Sequence, residues 1–133
     1  EAVDRCAAEG AVPIVHCVAG SKTGIHEPYP ATRFGAMVAA RDAFVVVDAC
    51  QARFRTQWLH EALERGAMVL TTGSKFFRGP PFCGAVLVPG SVAERLARTA
   101  VEMPRGLRRF LARHEVPPSL PAWRAALRRE GNA

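Results

Sequence analysis

The chain has 133 residues, enough for one domain with a real core and too few for a complete two-domain enzyme. Its 49% apolar and 23% charged residues are those of an ordinary globular protein and exclude a disordered chain. The formal charge of +6 is unevenly placed, because residues 91–133 hold nine arginines against four glutamates while the rest of the chain is close to neutral.

A basic tail can contact nucleic acid or an acidic surface. No aromatic interleaving and no nucleic-acid motif accompany this one, so the expectation is a solvated pair of arginine-rich helices without a nucleic-acid partner. Cys6, Cys17, Cys50 and Cys83 form no C-x-x-C spacing and read as reduced, mostly buried thiols of a cytoplasmic protein, with no metal site. No apolar run is long enough to span a bilayer and no basic-then-apolar leader opens the chain, so neither a membrane nor secretion is expected. The chain opens at Glu1 without an initiator methionine, which is expected of a processed form or a piece of something longer.

In chain order, residues 2–9 read as a helix closed by Gly10, and Val12 to Val18 as a strand with Pro13 near its start. The small-residue loop Ala19-Gly20-Ser21-Lys22-Thr23-Gly24 follows. Pro28 and Pro30 delay a helix over 31–42, whose core spacing is carried by Phe34, Met37 and Val38. Phe44-Val45-Val46-Val47 is a continuous apolar run of the kind found in a parallel strand buried on both faces, and it ends in Asp48. A helix over 54–65 presents Phe54, Trp58 and Ala62 and stops at Gly66; the strand Met68 to Leu70 comes next. The polar loop from Thr71 to Gly84 separates it from Ala85-Val86-Leu87-Val88, which lies too close in sequence for a helical crossover and pairs antiparallel or elsewhere in the sheet. Ser91-Val92-Ala93-Glu94 has the capping-box pattern of a helix to about Glu102. Pro104 opens another helix to about His114, the proline-rich run over 116–121 is a linker, and 122–129 is a last short helix. The fold expected is α/β: a three-layer arrangement with a mainly parallel sheet, flanking helices over 1–90 and a helical extension over 91–133.

Three polar sites fall at the carboxyl ends of predicted parallel strands, where open α/β sheets bind ligands: Ser21, the pair Asp48 and Gln51, and the loop from Thr72 to Lys75. Lys75 and Lys22 are the two lysines of a chain with 18 basic residues, and a primary amine is the group that forms a Schiff base. A carboxylate, an amide, hydroxyls and a reactive amine together suit pyridoxal phosphate. In that reading Lys75 bonds the cofactor and moves protons at the substrate α-carbon, and Asp48 keeps the pyridine nitrogen protonated. Gln51 donates to the ring oxygen. Thr72 and Ser74 supply hydroxyls, and Gly73 leaves backbone amides open, for the phosphate.

The order Asp48-Ala49-Cys50-Gln51, then Ser74-Lys75, Gly79-Pro80 and Gly84-Ala85-Val86-Leu87, resembles the fold-type I pyridoxal-phosphate enzymes. It is most similar to the class V aminotransferase and cysteine desulfurase group, with Ser21-Lys22-Thr23-Gly24 similar to that group's small polar loop. The resemblance, over about 12–88, implies the large domain of a pyridoxal-phosphate-dependent transferase or lyase. It implies an amino-acid substrate, a homodimeric complete form, a catalytic Lys75, and Asp48, Gln51, Thr72, Ser74, Lys75 and Ser21 around the cofactor. Ser74 stands where the group usually has histidine, and Cys83 is too close to the lysine to be a desulfurase nucleophile. The group's upstream phosphate loop, ring-stacking aromatic residue and carboxylate-binding arginine have no counterpart, which makes the chain a central segment of a larger enzyme. The competing expectations are a basic module that binds nucleic acid through Arg105, Arg108 and Arg109, and a cofactor-free structural paralogue.

Asp48 alone also fits a turn or capping aspartate at a strand end, and Ser21 ordinary turn chemistry. His60-Glu61 lacks the second histidine of a zinc-protease motif, and Thr72-Gly73-Ser74-Lys75 lacks the first glycine of a nucleotide-binding phosphate loop. Trp58, Phe76, Phe77 and Phe82 are expected in the core, at an interface or along a substrate pocket.

Overall fold

In a computed structural model, residues 2–24, 43–81, 83–98 and 102–128 are described. The expected helix over 31–42 and Phe82 lie outside them. The chain divides into two compact units, Glu1–Pro89 and Gly90–Ala133.

The first unit holds helix α1 (Ala2–Ala8), strands β1 (Ile14–Val18) and β2 (Phe44–Asp48), helix α2 (Thr56–Glu64), and strands β3 (Ala67–Thr72) and β4 (Gly84–Leu87). The strands form one sheet in the order β1-β2-β3-β4. β1, β2 and β3 are parallel, and β4 closes the sheet antiparallel to β3. This is the three-layer α/β class expected from the alternation of strands and helices.

The sheet packs through one periodicity. Val45, Val47, Ala67 and Val69 are fully buried, with Cys17, Ala19, Ala49 and Ala62 beside them. Phe54, Trp58, Leu59 and Leu63 cover this cluster, so the apolar face of α2 lies against the sheet. The intervening residues Phe44, Val46 and Asp48 are half-buried, a less enclosed strand than the unbroken valine run implies. Gly66 ends α2 with φ of 85°, a left-handed value that costs glycine nothing and lets the chain turn directly into β3. Pro13 lies just outside β1, where its missing donor breaks no ladder bond; its carbonyl accepts from Phe44 N at 2.9 Å.

The second unit begins with helix α3 (Gly90–Ala97) and ends with the one-turn helix α4 (Pro121–Ala125). Between them, the helix expected over 104–114 is replaced by two short 3₁₀ turns, Leu107–Arg109 and Arg113–Glu115. Ala112 is extended, at φ −103° and ψ 160°, which breaks the helical run. Glu115 accepts Ala112 N at 2.6 Å and starts the second turn. Met103, Val116 and Leu127 form the core of this unit, with Leu111, Leu120 and Trp123 against them. Arg113 donates to Leu127 O at 2.8 Å and Arg124 to Val116 O at 2.7 Å, tying the segments around it together.

Among the described residues no helix is long and apolar enough to cross a membrane. Phe76 and Phe77, expected in the core, at an interface or along a pocket, are 57% and 68% exposed and so lie outside the core. All four cysteines are free, but of these Cys17 alone is buried.

Truncating Val47 should therefore lower stability by about 2 kcal/mol, since it removes two fully buried methyl groups and leaves a gap. The same change at Val86, which is 55% exposed, should cost under about 0.5 kcal/mol. Urea unfolding of the two variants separates these values.

Candidate functional site

The parallel ladder brings the three polar strand ends side by side. Val18 of β1 pairs with Asp48 of β2, and Asp48 pairs with Leu70 of β3. The pairing runs on past the strand ends, with Ala19 N bonded to Asp48 O and Ala49 N to Leu70 O, each at 2.9 Å. Asp48, the Ser21 loop and the Lys75 loop thus leave one edge of the sheet, although 54 positions separate Ser21 from Lys75.

Asp48 Oδ1 accepts the Cys50 backbone N–H at 2.9 Å. That bond, chiefly, holds the carboxyl below its ordinary value of 3.8 against the opposing effect of burial; the Cys50 thiol and the charges of Lys75 and His16 act in the same direction. Asp48 is therefore a carboxylate at neutral pH, within electrostatic reach of Lys75, and its second oxygen retains acceptor capacity. Burial pushes the Cys50 thiol up from its ordinary 9.0, as do its hydrogen bond to Asp48 and the charge of that residue.

Past β3 the chain opens a hollow of about 650 Å³, lined among others by Cys50, Thr72, Ser74, Lys75, Gly79 and Cys83. Lys75 and Ser74 are exposed there. The loop that carries them is pinched shut at its base: Gly79 N donates to Gly73 O at 2.8 Å, and Gly73 N to Cys83 O at 2.9 Å. A Cβ on Gly79 would lie 2.9 Å from Gly73 O, and one on Gly73 would lie 3.0 Å from Cys83 Sγ. The pinch therefore needs two residues without side chains. Arg78, just before Gly79, takes a φ of 52°, a left-handed conformation that strains a residue with a side chain.

Hydrogen-bond accounting changes the expected roles of Thr72, Gly73 and Ser74. The Thr72 hydroxyl donates to Cys83 O at 2.6 Å and accepts Ser74 N at 3.2 Å. It has one proton, already given to Cys83, so the 2.8 Å contact with Ser74 Oγ is a bond donated by Ser74. Thr72 is fully used as a latch across the loop base, and the Gly73 and Ser74 amides are engaged within the loop instead of open. Ser74 Oγ can turn its proton toward an anion by giving up Thr72.

Ser21 and Gln51 are placed differently. Ser21 is half-buried at the same sheet edge, where its hydroxyl is 2.9 Å from Thr23 Oγ1 and its carbonyl accepts Arg53 Nη1 at 3.1 Å. Gln51 is half-buried in the turn after β2, and neither these two residues nor Asp48 lines the hollow, which Cys50 reaches from the Asp48 turn. Three contributors escaped the sequence reading: Cys50, which anchors Asp48; Arg53, which ties the first two loops together; and Cys83, which receives the Thr72 latch. Ala52 has a φ of 51° and turns the chain between Gln51 and Arg53, a conformation that no residue pattern signals. Among the described residues no group of three or more His, Cys, Asp or Glu side chains is arranged to hold a metal.

No known protein family matches the chain, and no curated protein sequence matches it. Among the solved structures that do, the crystal structure of mouse CSAD in apo form superimposes with a TM-score of 0.51 and 19% identity, over 80% of this chain and 24% of that one. The likeness shows that this chain shares the α/β fold of that structure. The chain spans about a quarter of the length of that neighbour.

Two measurements check this geometry. Because the folded-state pKa of Asp48 is depressed, its carboxylate stabilises the fold above 3.8 and that contribution is lost as pH falls below it. The stability difference between the wild type and Asp48→Asn should be constant near neutral pH and shrink below 3.8 in acid titrations of unfolding. Gly79→Ala should cost about 1–3 kcal/mol, since the obstacle is the Gly73 backbone, and amide exchange should quicken at Gly73 and Gly79 before the sheet is affected.

Proposed function

We propose that this chain carries the cofactor-holding strand ends of a pyridoxal-phosphate-dependent enzyme acting on an amino acid, with Lys75 as the residue that bonds the cofactor. The observation that carries this reading is that Asp48 and the Lys75 loop, 27 positions apart in sequence, leave the same sheet edge, with the charge of Lys75 felt at Asp48 and the carboxylate held ionised. The donor set fits the group: an exposed amine, a carboxylate with a spare oxygen, a hydroxyl that can be turned, and a hollow of about 650 Å³. When bound, pyridoxal phosphate supplies an electron-accepting ring conjugated to the substrate's nitrogen.

Each residue then has one task. The Lys75 amine would hold the cofactor through its aldehyde carbon and, when free, would take or return a proton at the substrate α-carbon. Asp48 would pair with the ring nitrogen, which its low pKa suits. Gln51 would donate to the ring oxygen. Ser74 would offer its hydroxyl to the phosphate, while Thr72 keeps the loop closed, and Ser21 would line the adjoining loop. The narrower affiliation, to class V aminotransferases and cysteine desulfurases, rests on the order Asp48-x-x-Gln51, Ser74-Lys75 and Gly79-Pro80, and with it come transfer or lyase chemistry and a homodimeric complete enzyme.

The two lysines provide an internal control. After incubation with pyridoxal phosphate and borohydride reduction, peptide mapping should find the adduct on Lys75 and little on the exposed Lys22. Asp48→Asn should weaken retention before reduction, and Lys75→Arg should abolish the selective label while leaving the circular dichroism unchanged. Equal labelling of both lysines would sink the proposal and favour a cofactor-free paralogue.

A further inference from the structure

Five of the nine arginines of the second unit form two contrasting sets. Arg113 and Arg124 turn inward to backbone carbonyls. Arg105, Arg108 and Arg109 are exposed, and their guanidinium groups make no hydrogen bond or ion pair with any described residue. Between the two sets stands Phe110, 76% exposed.

This segment is held in place. Leu107 N bonds Pro104 O, Arg109 N bonds Gly106 O, and Phe110 N bonds Leu107 O, at 3.0, 3.3 and 3.0 Å. Met103 before it is 4% exposed and Ala112 after it is fully buried, with Leu111 packed on the core of the unit. Three cations and one aromatic ring are thus presented on a turn anchored at both ends, inside a unit that carries nine arginines against four glutamates.

We propose that the turn from Arg105 to Phe110 binds a short stretch of single-stranded nucleic acid, with the guanidinium groups on successive phosphates and one base stacked on Phe110. Guanidinium is planar and engages phosphate oxygens in pairs. A ring face open to solvent beside such cations is the combination that holds unpaired bases without reading their sequence. Three basic residues and one aromatic residue thus fall within the six positions from Arg105 to Phe110.

Fluorescence anisotropy of the full chain with labelled 12-nucleotide oligo(dT) and oligo(U) tests this. Binding should have a Kd of about 10–100 μM in about 50 mM salt and weaken with a slope of about 2 in log Kd against log salt, as expected for three phosphates on a single strand. Replacing Arg105, Arg108 and Arg109 together with Gln should weaken binding at least about tenfold and flatten that slope. Phe110→Ala should cost roughly tenfold with the slope unchanged, and Phe110→Tyr should retain affinity. All these side chains are exposed, and circular dichroism verifies that each variant is folded. Absence of binding in about 50 mM salt, or binding indifferent to the triple substitution, would overturn the proposal. So would equal competition by polyglutamate of matched charge together with no effect of Phe110→Ala, which would assign the surface to an acidic protein segment.

Discussion

The register of the three parallel strands is the constraint on which the site depends. Val45, Val47 and Ala49 alternate with Phe44, Val46 and Asp48, and the first set is fully buried. Sliding β2 by one position would expose the valines and turn Asp48 into the core. Each buried valine contributes roughly 1.5–3 kcal/mol, so the sheet cannot slip without losing several such terms. The hydrophobic core thereby fixes the position of a carboxylate it does not touch. Asp48 reaches the edge of the sheet because the packing of Val45 and Val47 leaves it no other place.

The Lys75 loop uses a different kind of restraint. Its described residues add nothing to the buried cluster of the first unit, and it is held by backbone bonds at its base, by the Thr72 hydroxyl, and by the absence of side chains at Gly73 and Gly79. A loop fixed at its neck can keep an exposed amine near Asp48 without burying the amine, which would disfavour its charge. The left-handed Arg78 lies within this closure, so the strain is borne next to the lysine and away from the sheet. The same closure limits what the loop can offer an anion, since the Gly73, Ser74 and Gly79 amides are all engaged.

Those parts of the molecule where local sequence and tertiary packing agree were legible in advance. The strand at the valine run, the stop at Gly66 and the lack of a helical crossover before β4 follow from periodicity, glycine chemistry and loop length, and β4 takes the antiparallel one of the two placements that loop length allows. The polar strand ends likewise gather at one edge. The helix over 104–114 was not legible, because Ala112 takes an extended conformation that neither its own propensity nor its neighbours favour. Packing of Met103, Leu111 and Val116 around Leu127 and Trp123 overrides that propensity. The bonding of the Thr72 and Ser74 hydroxyls was not legible either, since composition gives the number of donors and only geometry shows which are engaged. Cys50 escaped notice for the same reason: it acts through its backbone amide, which every residue but proline possesses.

The contrast among the arginines bears on what the charge of the second unit is for. Its buried cluster is small, three residues with three more packed on it, and such a cluster gains from each bond that crosses it. Arg113 and Arg124 supply two, and hydrogen bonds from charged donors are worth about 1.5–3 kcal/mol. Arg105, Arg108 and Arg109 make no such bond to a described residue, and three like charges within five residues repel one another. Phe110 gains nothing from burial at 76% exposure. Folding therefore accounts for two of these arginines, while no described residue of the unit bonds the other three. Their physical effect is directed outward, where exposed guanidinium groups favour anions and an exposed ring favours flat apolar surfaces.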